Sequence, residues 1–331
     1  MKASKVGRSA RLACSLVAIS LGLGGCVQLQ LFGGLPQPLE ETVVMGKGSA
    51  KILLLKVDGV ISTQPPRNVS LLGGDEDSMV SRVREALDSA REDQEVKALL
   101  LRIDSPGGTA SASDVVYSEV LRFKRERRVP VVAYMMGTAT SGAYYVAMAA
   151  DHVIAHPTTV TGSIGVIFLS VNFAGLMEKL GIENQTLVAG RYKDEGSPLR
   201  RMLPVERTQL QSILDELHAY FQQVVIHGRP QLDAARVREL ADGRIFGARQ
   251  ALDAGLVDEL GDLVQAVEIT RQRAHLSEAR VVTYHRPSEY ENNIFTRGET
   301  ALPERVKLEL PNALEWLARP GFYYLWTPGI R

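Results

Sequence analysis

The apolar positions of this chain fall into two alternating kinds of run. Ile52-Leu53-Leu54-Leu55-Lys56-Val57 is nearly continuous, as expected of a strand buried on both faces. Ala98 to Ile103 and Val131 to Met135 repeat that texture, and Val153 to Ala155 is a shorter version. Between them the apolar residues take helical spacing. Val80, Val83, Leu87 and Ala90 form one apolar face, with Asp77 placed to cap the helix. Val115 to Phe123 predicts a second helix, and the basic run Lys124 to Arg128 suits its C-terminal end. Ser141 opens a third. Residues 205–225 predict a long amphipathic helix through Leu210, Ile213, Leu214, Leu217, Phe221 and Val224. Strands alternating with helices imply an α/β fold of parallel β-α-β units.

The N-terminus breaks this pattern. Lys2, Lys5, Arg8 and Arg11 precede an apolar stretch from Leu12 to Leu23, too short for a membrane span of roughly 20 residues. That layout is a secretory signal. Leu23-Gly24-Gly25-Cys26 resembles the bacterial lipoprotein signal, in which the cysteine is lipidated and becomes the first residue. The alternative is an uncleaved anchor helix running on through Val27 to Phe32. Either predicts a body outside the cytoplasm, held to a membrane by its N-terminal lipid or anchor. With Cys14 in the signal, Cys26 is the one cysteine of the mature chain, so no disulfide is expected. Net charge is zero and falls to about −4 without the four basic residues, which argues against nucleic acid as a partner. The predicted organisation is a signal over residues 1–25, a tether over 26–48 rich in Gly and Pro, a body over 49–285, and a Pro/aromatic-rich tail over 286–331.

Two glycine-rich loops follow buried strands. Asp104-Ser105-Pro106-Gly107-Gly108 follows one, and Gly137-Thr138-Ala139-Thr140-Ser141-Gly142 follows another. Carboxyl ends of parallel strands are where α/β proteins place their sites. Glycine lets backbone N–H groups approach a ligand closely, so the amides near Gly108 and of Gly142 are candidate donors to a tetrahedral oxyanion. One such donor is worth about 3 kcal/mol in catalysis. Each loop by itself reads as a simple turn; together, each after a buried strand, they read as a site. Ser141 is the candidate nucleophile, and a serine hydroxyl needs a base to take its proton. No histidine stands in a recognisable catalytic setting, which leaves Lys193, in Gly190-Arg191-Tyr192-Lys193-Asp194, as the candidate base or as an ordinary surface lysine. A lysine base must titrate near 7–8 rather than about 10.4, a difference of about 4 kcal/mol that burial supplies most readily. Burial of Lys193 is therefore expected.

Asp104-Ser-Pro-Gly-Gly, Thr140-Ser141-Gly142-Ala143-Tyr144-Tyr145, Thr161-Gly162-Ser163-Ile164-Gly165, Tyr192-Lys193-Asp194-Glu195-Gly196-Ser197-Pro198, and Asp242-Gly243-Arg244-Ile245-Phe246 with Ala251 to Asp258 occur in that order. Together they resemble the signal peptide peptidase A (SppA) serine peptidases in their short, single-repeat bacterial form, over roughly residues 39–285. The resemblance implies a Clp-protease/crotonase-like fold of repeated ββα units. It implies Ser141 as nucleophile, Lys193 as general base, Ser163 as the hydroxyl that orients the lysine amine, and Gly108 and Gly142 as oxyanion donors. It also implies ring-like homo-oligomers with sites where subunits meet, hydrophobic peptides such as spent signal peptides as substrates, and no cofactor. Ala143 departs from the family, which usually has a second glycine there. Two rivals are an inactive exported scaffold lipoprotein and a crotonase-like acyl-thioester enzyme. An exported location opposes the second, since coenzyme A thioesters are cytoplasmic.

Other features have plainer readings. His152 and His156 flank a strand, which would hold them about 13 Å apart, against a shared metal. Asp104 is expected to cap the loop beside it. Val131, Met135, Met136 and Ile164 either line an apolar cleft or belong to the core. Pro287, Pro303, Pro311, Pro320 and Pro328 argue against a long regular element in the tail. Its aromatic run Phe322-Tyr323-Tyr324-Leu325-Trp326 suggests docking on the chain's own body, on a neighbouring subunit or on the membrane interface.

Overall fold

The buried apolar runs become the central strands of one sheet. The computed structural model describes residues 38–65, 77–287, 289–290, 292–296, 299–300 and 321–327. The signal, Cys26 and the tether as far as residue 37 lie outside the described residues. In chain order the elements are β1 (Glu40–Gly46), β2 (Lys51–Asp58), α1 (Met79–Glu92), β3 (Val96–Ser105), β4 (Gly107–Thr109), α2 (Ala110–Arg127), β5 (Val131–Thr140), α3 (Gly142–Ala147), β6 (His152–Ala155), β7 (Val160–Gly162) and β8 (Ile167–Leu169). There follow α4 (Ala174–Leu180), α5 (Pro204–Gly228), α6 (Ala234–Leu240), β9 (Ile245–Gly247), α7 (Ala248–Asp253), β10 (Glu259–Leu260), α8 (Leu263–Arg273), β11 (Arg280–His285), β12 (Glu289–Tyr290), β13 (Glu299–Thr300) and β14 (Gly321–Leu325).

The main sheet has nine strands, with β1-β11-β2-β3-β5-β6-β10 as its path, β7 on β5 and β9 on β7. Strands β2, β3, β5 and β6 run parallel, in register Leu53↔Leu99 and Leu99↔Val131. Alternation sorts their side chains to two faces. Leu53, Leu55, Leu99, Leu101, Val131 and Ala133 pack into one core with α1, α2 and α3. Ile52, Leu54, Leu100, Val132 and Tyr134 pack on the other face against Leu263 and Ala266 of α8. The runs are continuous because both faces are covered. Residues 40–46, expected within the tether, form β1 and pair antiparallel with β11 through Thr42↔Thr283.

One local expectation is corrected. Ser78, not Asp77, caps α1: its backbone is extended (φ −62°, ψ 156°) and its hydroxyl accepts from the Ser81 N–H at 3.2 Å. Asp77 instead pairs with the Arg286 guanidinium at 2.7 Å. The basic end of α2 is partly knitted into the body, with Arg125 and Arg128 exposed. Lys124 pairs with Asp151 at 2.6 Å, and Arg127 donates to the carbonyls of Ala90 at 3.0 Å and Asp93 at 2.9 Å. Helix α5 is longer than predicted; Phe221 and Val224 are buried, while Leu210, Ile213, Leu214 and Leu217 are only half-buried.

The aromatic run of the tail is a strand. β14 lies between β4 and β8 in a separate three-stranded sheet, antiparallel to both.

Candidate active site

The site forms where β3 and β5 end. Ser141 sits between β5 and α3, 1% exposed, with φ 55° and ψ −117°. A positive φ at a serine is strained, at a cost of about 1–3 kcal/mol. Its neighbours hold it there: the Ser141 N–H donates to Gly162 O at 2.7 Å, and Thr140 pairs with Gly162 across β5 and β7. The next residue, Ser163, is also positive in φ (51°), 9% exposed, and its N–H donates to Arg244 O at 2.8 Å. The fold thus brings Ser141 and Ser163 to adjacent strand ends.

The two glycine loops also meet. A methyl group built on Gly142 would lie 3.2 Å from Gly108 N, and one built on Gly107 would lie 2.8 Å from Gly142 N. Two amides thereby converge beside Ser141, one of them in the first turn of α3. Ser113 also lies beside Gly142: its hydroxyl donates to Thr109 O at 3.0 Å and would lie 2.3 Å from a Gly142 methyl. The sequence reading missed Ser113; one buried serine in a helix carries no signal of its own. Ala143 is fully buried in the core, so its methyl does not narrow the cleft. Asp104 Oδ1 accepts from the Thr138 N–H at 3.0 Å, bracing the strand that leads to Ser141. Val131, Met135 and Ile164 are fully buried core residues rather than cleft lining. His152 sits on β6 and engages Glu259 and Arg273; His156 engages Thr158.

Lys193 departs from expectation. It is exposed, on a turn where its N–H donates to Gly190 O at 3.1 Å. Among the described residues no hydrogen bond joins its amine to Ser141 or Ser163. Residues 181–203 form no helix or strand, and most of them are exposed. The acids beside it are turned away or enclosed. Asp194 takes two bonds from Arg200, at 2.6 and 2.8 Å, and Arg200 also reaches Glu206 at 2.9 Å. Arg200 holds the Asp194 and Glu206 carboxyls below the usual carboxylate range. Glu206 in turn accepts from the Leu203 N–H at 2.8 Å and so caps α5. Glu195 Oε1 is buried with no partner among the described residues.

This arrangement suits acyl transfer: a strained serine, a second hydroxyl at the adjacent strand end, and two glycine amides close together beside it. Comparison with known proteins agrees. Residues 62–161 match the Clp protease family and residues 123–277 match peptidase family S49. A putative signal peptide peptidase SppA of Enterococcus faecium is 34% identical over 255 residues, covering 77% of this chain and 73% of its own. The chain belongs to peptidase family S49. It is a serine peptidase of this Ser/Lys dyad family, on a mixed α/β fold related to Clp and S49 proteases. Other S49 relatives are more distant in extent. The chloroplastic serine protease SPPA of Arabidopsis thaliana is 31% identical over 73% of this chain, which spans 35% of the plant protein. A solved membrane-bound stomatin-specific protease in complex with a substrate peptide is 15% identical, with a TM-score of 0.42 over 67% of this chain and 80% of its own. Among the described residues of this S49 peptidase, no helix is long and apolar enough to cross a membrane.

Proposed function

We propose that this S49 peptidase is a membrane-tethered serine endopeptidase that cleaves hydrophobic peptides, such as released signal peptides, outside the cytoplasm. The tether is the N-terminus, through lipidated Cys26 or an uncleaved anchor. Ser141 is the nucleophile, Lys193 the general base, and Ser163 the hydroxyl that orients the amine; the N–H groups of Gly108 and Gly142 hold the oxyanion. Lys193 takes the Ser141 proton as Oγ attacks the scissile carbonyl. The lysine then protonates the leaving amine, the C–N bond breaks, and water releases the acyl-enzyme as a carboxylate. The observation that carries this is the strained, 1% exposed Ser141 lying between two convergent glycine amides.

The exposure of Lys193 fits an active site completed by assembly. A ring-like homo-oligomer would cover residues 173–203 with a neighbouring subunit and supply the burial that a lysine base needs. Phe173, Leu176, Leu180 and Ile182 on this stretch are all more than two-fifths exposed, an apolar surface suited to such a contact.

The test is incubation of the wild-type body from Val27 onward, Ser141→Ala and Lys193→Ala with an unfolded protein and a synthetic hydrophobic signal peptide. Products are read by mass spectrometry. Cleavage by wild type and by neither variant is expected. Cleavage that survives Lys193→Ala would reassign the base, and a folded, assembled wild type that cuts nothing would leave an exported scaffold.

A further inference from the structure

The turn that leads into β9 holds Ser163 from its outer side. β7 and β9 run antiparallel through Thr161↔Phe246 and Gly162↔Ile245. The chain then bends sharply, with φ 81° at Gly162 and 51° at Ser163. Glycine adopts that region freely; serine does so at a cost and needs neighbours that hold it. The holding bond comes from the residue just before β9, because the Ser163 N–H donates to Arg244 O at 2.8 Å. On the inner side of the same dipeptide, Gly162 O accepts from the Ser141 N–H at 2.7 Å.

Arg244 is itself fixed by Asp242. Asp242 Oδ1 accepts from the Arg244 backbone N–H at 3.0 Å and from its Nε at 2.9 Å, and Oδ2 accepts from Nε at 2.7 Å. An aspartate bonded to the amide two residues on closes a turn by itself. Gly243, between the two, takes φ 87°. The turn lies tightly on the Ser163 loop. A methyl built on Gly165 would lie 3.3 Å from the Gly243 Cα, and one built on Gly162 would lie 3.1 Å from Arg244 O and 2.5 Å from the Phe246 ring. A line of bonds thus runs from the Asp242 carboxylate through Arg244, Ser163 and Gly162 to the backbone of Ser141. Asp242 and Arg244 are both exposed. The hydrogen bond from Arg244 holds the Asp242 carboxyl below the usual carboxylate range, so the pair is formed at neutral pH.

We propose that Asp242 is a positioning residue: by fixing Arg244 it keeps the Ser163 backbone in its left-handed conformation and so aims the Ser163 hydroxyl at the Lys193 amine. This rests on the peptidase reading above, in which Lys193 is the base and Ser163 orients it. The directions open to a side chain are set by its backbone. A residue that touches neither lysine nor substrate can therefore act through Ser163. Misplacement of about 1 Å costs about 10²-fold in rate, so truncating Asp242 should lower kcat by about 10- to 100-fold. KM should stay within about twofold, since the loss falls on the chemical step.

The test uses the full chain as wild type, Asp242→Ala, Asp242→Asn, Ser163→Ala and the Asp242→Ala/Ser163→Ala double variant, with Ser141→Ala as blank. Cleavage of an unfolded protein gives kcat and KM. The pH dependence of Lys193 acetylation by acetic anhydride, read by peptide mass spectrometry, follows the amine even in variants that do not turn over. Asp242→Ala is expected to lose kcat, and Asp242→Asn, which keeps the Oδ1 acceptor, to recover most of it. Asp242→Ala should shift the Lys193 titration in the same direction as Ser163→Ala, and the double variant should match Ser163→Ala. Asp242→Glu, whose longer side chain moves the carboxylate off the Arg244 amide, gives the same comparison where the alanine variant fails to fold. An unchanged kcat, a raised KM at unchanged kcat, or a Lys193 titration that moves with Ser163→Ala but not with Asp242→Ala overturns the proposal and leaves the peptidase reading standing. A titration that moves with neither removes Ser163 as the orienting hydroxyl and the proposal with it. Absence of Ser141-dependent cleavage by wild type overturns the peptidase reading itself.

Discussion

Glycine does two different jobs on the two sides of Ser141, and substitution separates them. A methyl on Gly108 would sit 1.9 Å from the Ile61 carbonyl oxygen, a backbone atom that cannot rotate away. Overpacking against backbone costs about 1–3 kcal/mol or more. Gly108→Ala is thus expected to lower the thermal midpoint by roughly 5 °C as well as activity. A methyl on Gly142 meets chiefly the Ser113 hydroxyl, a side chain with other rotamers. Gly142→Ala should stay folded while losing about 10²-fold in kcat, by displacing one oxyanion donor. Thermal melts beside peptide turnover check both; a fully active Gly142→Ala enzyme would remove that amide from the oxyanion hole. At the corrected cap of α1, Ser78→Ala should cost about 1 kcal/mol in denaturant unfolding, as loss of a cap does, and Asp77→Ala about half that or less.

At the scale of elements, the segment bearing Lys193 carries a charge clamp beside backbone bonds such as Phe173 N–H to Pro198 O at 2.7 Å. Arg200 ties Asp194, one residue past the lysine, to Glu206 at the start of α5. Both carboxyls are pulled below their usual range, chiefly by their hydrogen bonds to Arg200. Groups with depressed folded values contribute stability that is complete above the ordinary carboxylate pKa of about 4 and is lost as pH falls through the depressed values. The clamp therefore holds at neutral pH and opens under acid. Hydrogen exchange across residues 190–203 should be slow at pH 7 and faster at pH 3, and Glu206→Gln should bring the fast behaviour to pH 7. Equal protection in wild type and variant at pH 7 would show that the segment is held by something else. The aromatic element behaves oppositely. β14 is held by ring packing and ladder bonds, with burial pushing the Tyr145 and Tyr324 hydroxyls up, so neutral and acid pH leave it in place.

At the scale of the molecule, the chain buries Ser141 and leaves Lys193 exposed. If assembly completes the site, disrupting it should abolish activity without touching Ser141. Leu176→Asp with Leu180→Asp places two charges on the exposed face of α4. Sedimentation is expected to show wild type larger than one chain and the double variant as a monomer, with peptidase activity lost and the thermal midpoint nearly unchanged. A fully active monomer would mean that Lys193 reaches Ser141 within one chain.

How much of this was legible beforehand follows from the range of the forces involved. The parallel strands were readable because burial on both faces writes a continuous apolar run locally, and the helices because one covered face writes a period. Ser141 and the glycine loops were readable because close amide approach after a buried strand asks for glycine, whereas Ser163 was reachable only through the resemblance to the SppA peptidases. The expectation that Lys193 is buried went beyond its local sequence: seven residues of turn say nothing about what covers them, and in the structure Gly196 is buried while Lys193 is exposed. Residues 40–46 read as tether because a half-buried edge strand lacks the double-faced apolar signal. The tail strand is the clearest case of a tertiary decision. Phe322 to Trp326 announced an aromatic surface, but its seat between β4 and β8 depends on pairing Tyr324 with Gly108, a partner over 200 residues away. Sequence by itself determined the buried strands, the candidate serine and the glycine loops, since each is specified by neighbours along the chain. Only the tertiary structure decided that β14 sits between β4 and β8 and that the turn before β9 meets Ser163, because register between distant strands is chosen by the packing of the whole.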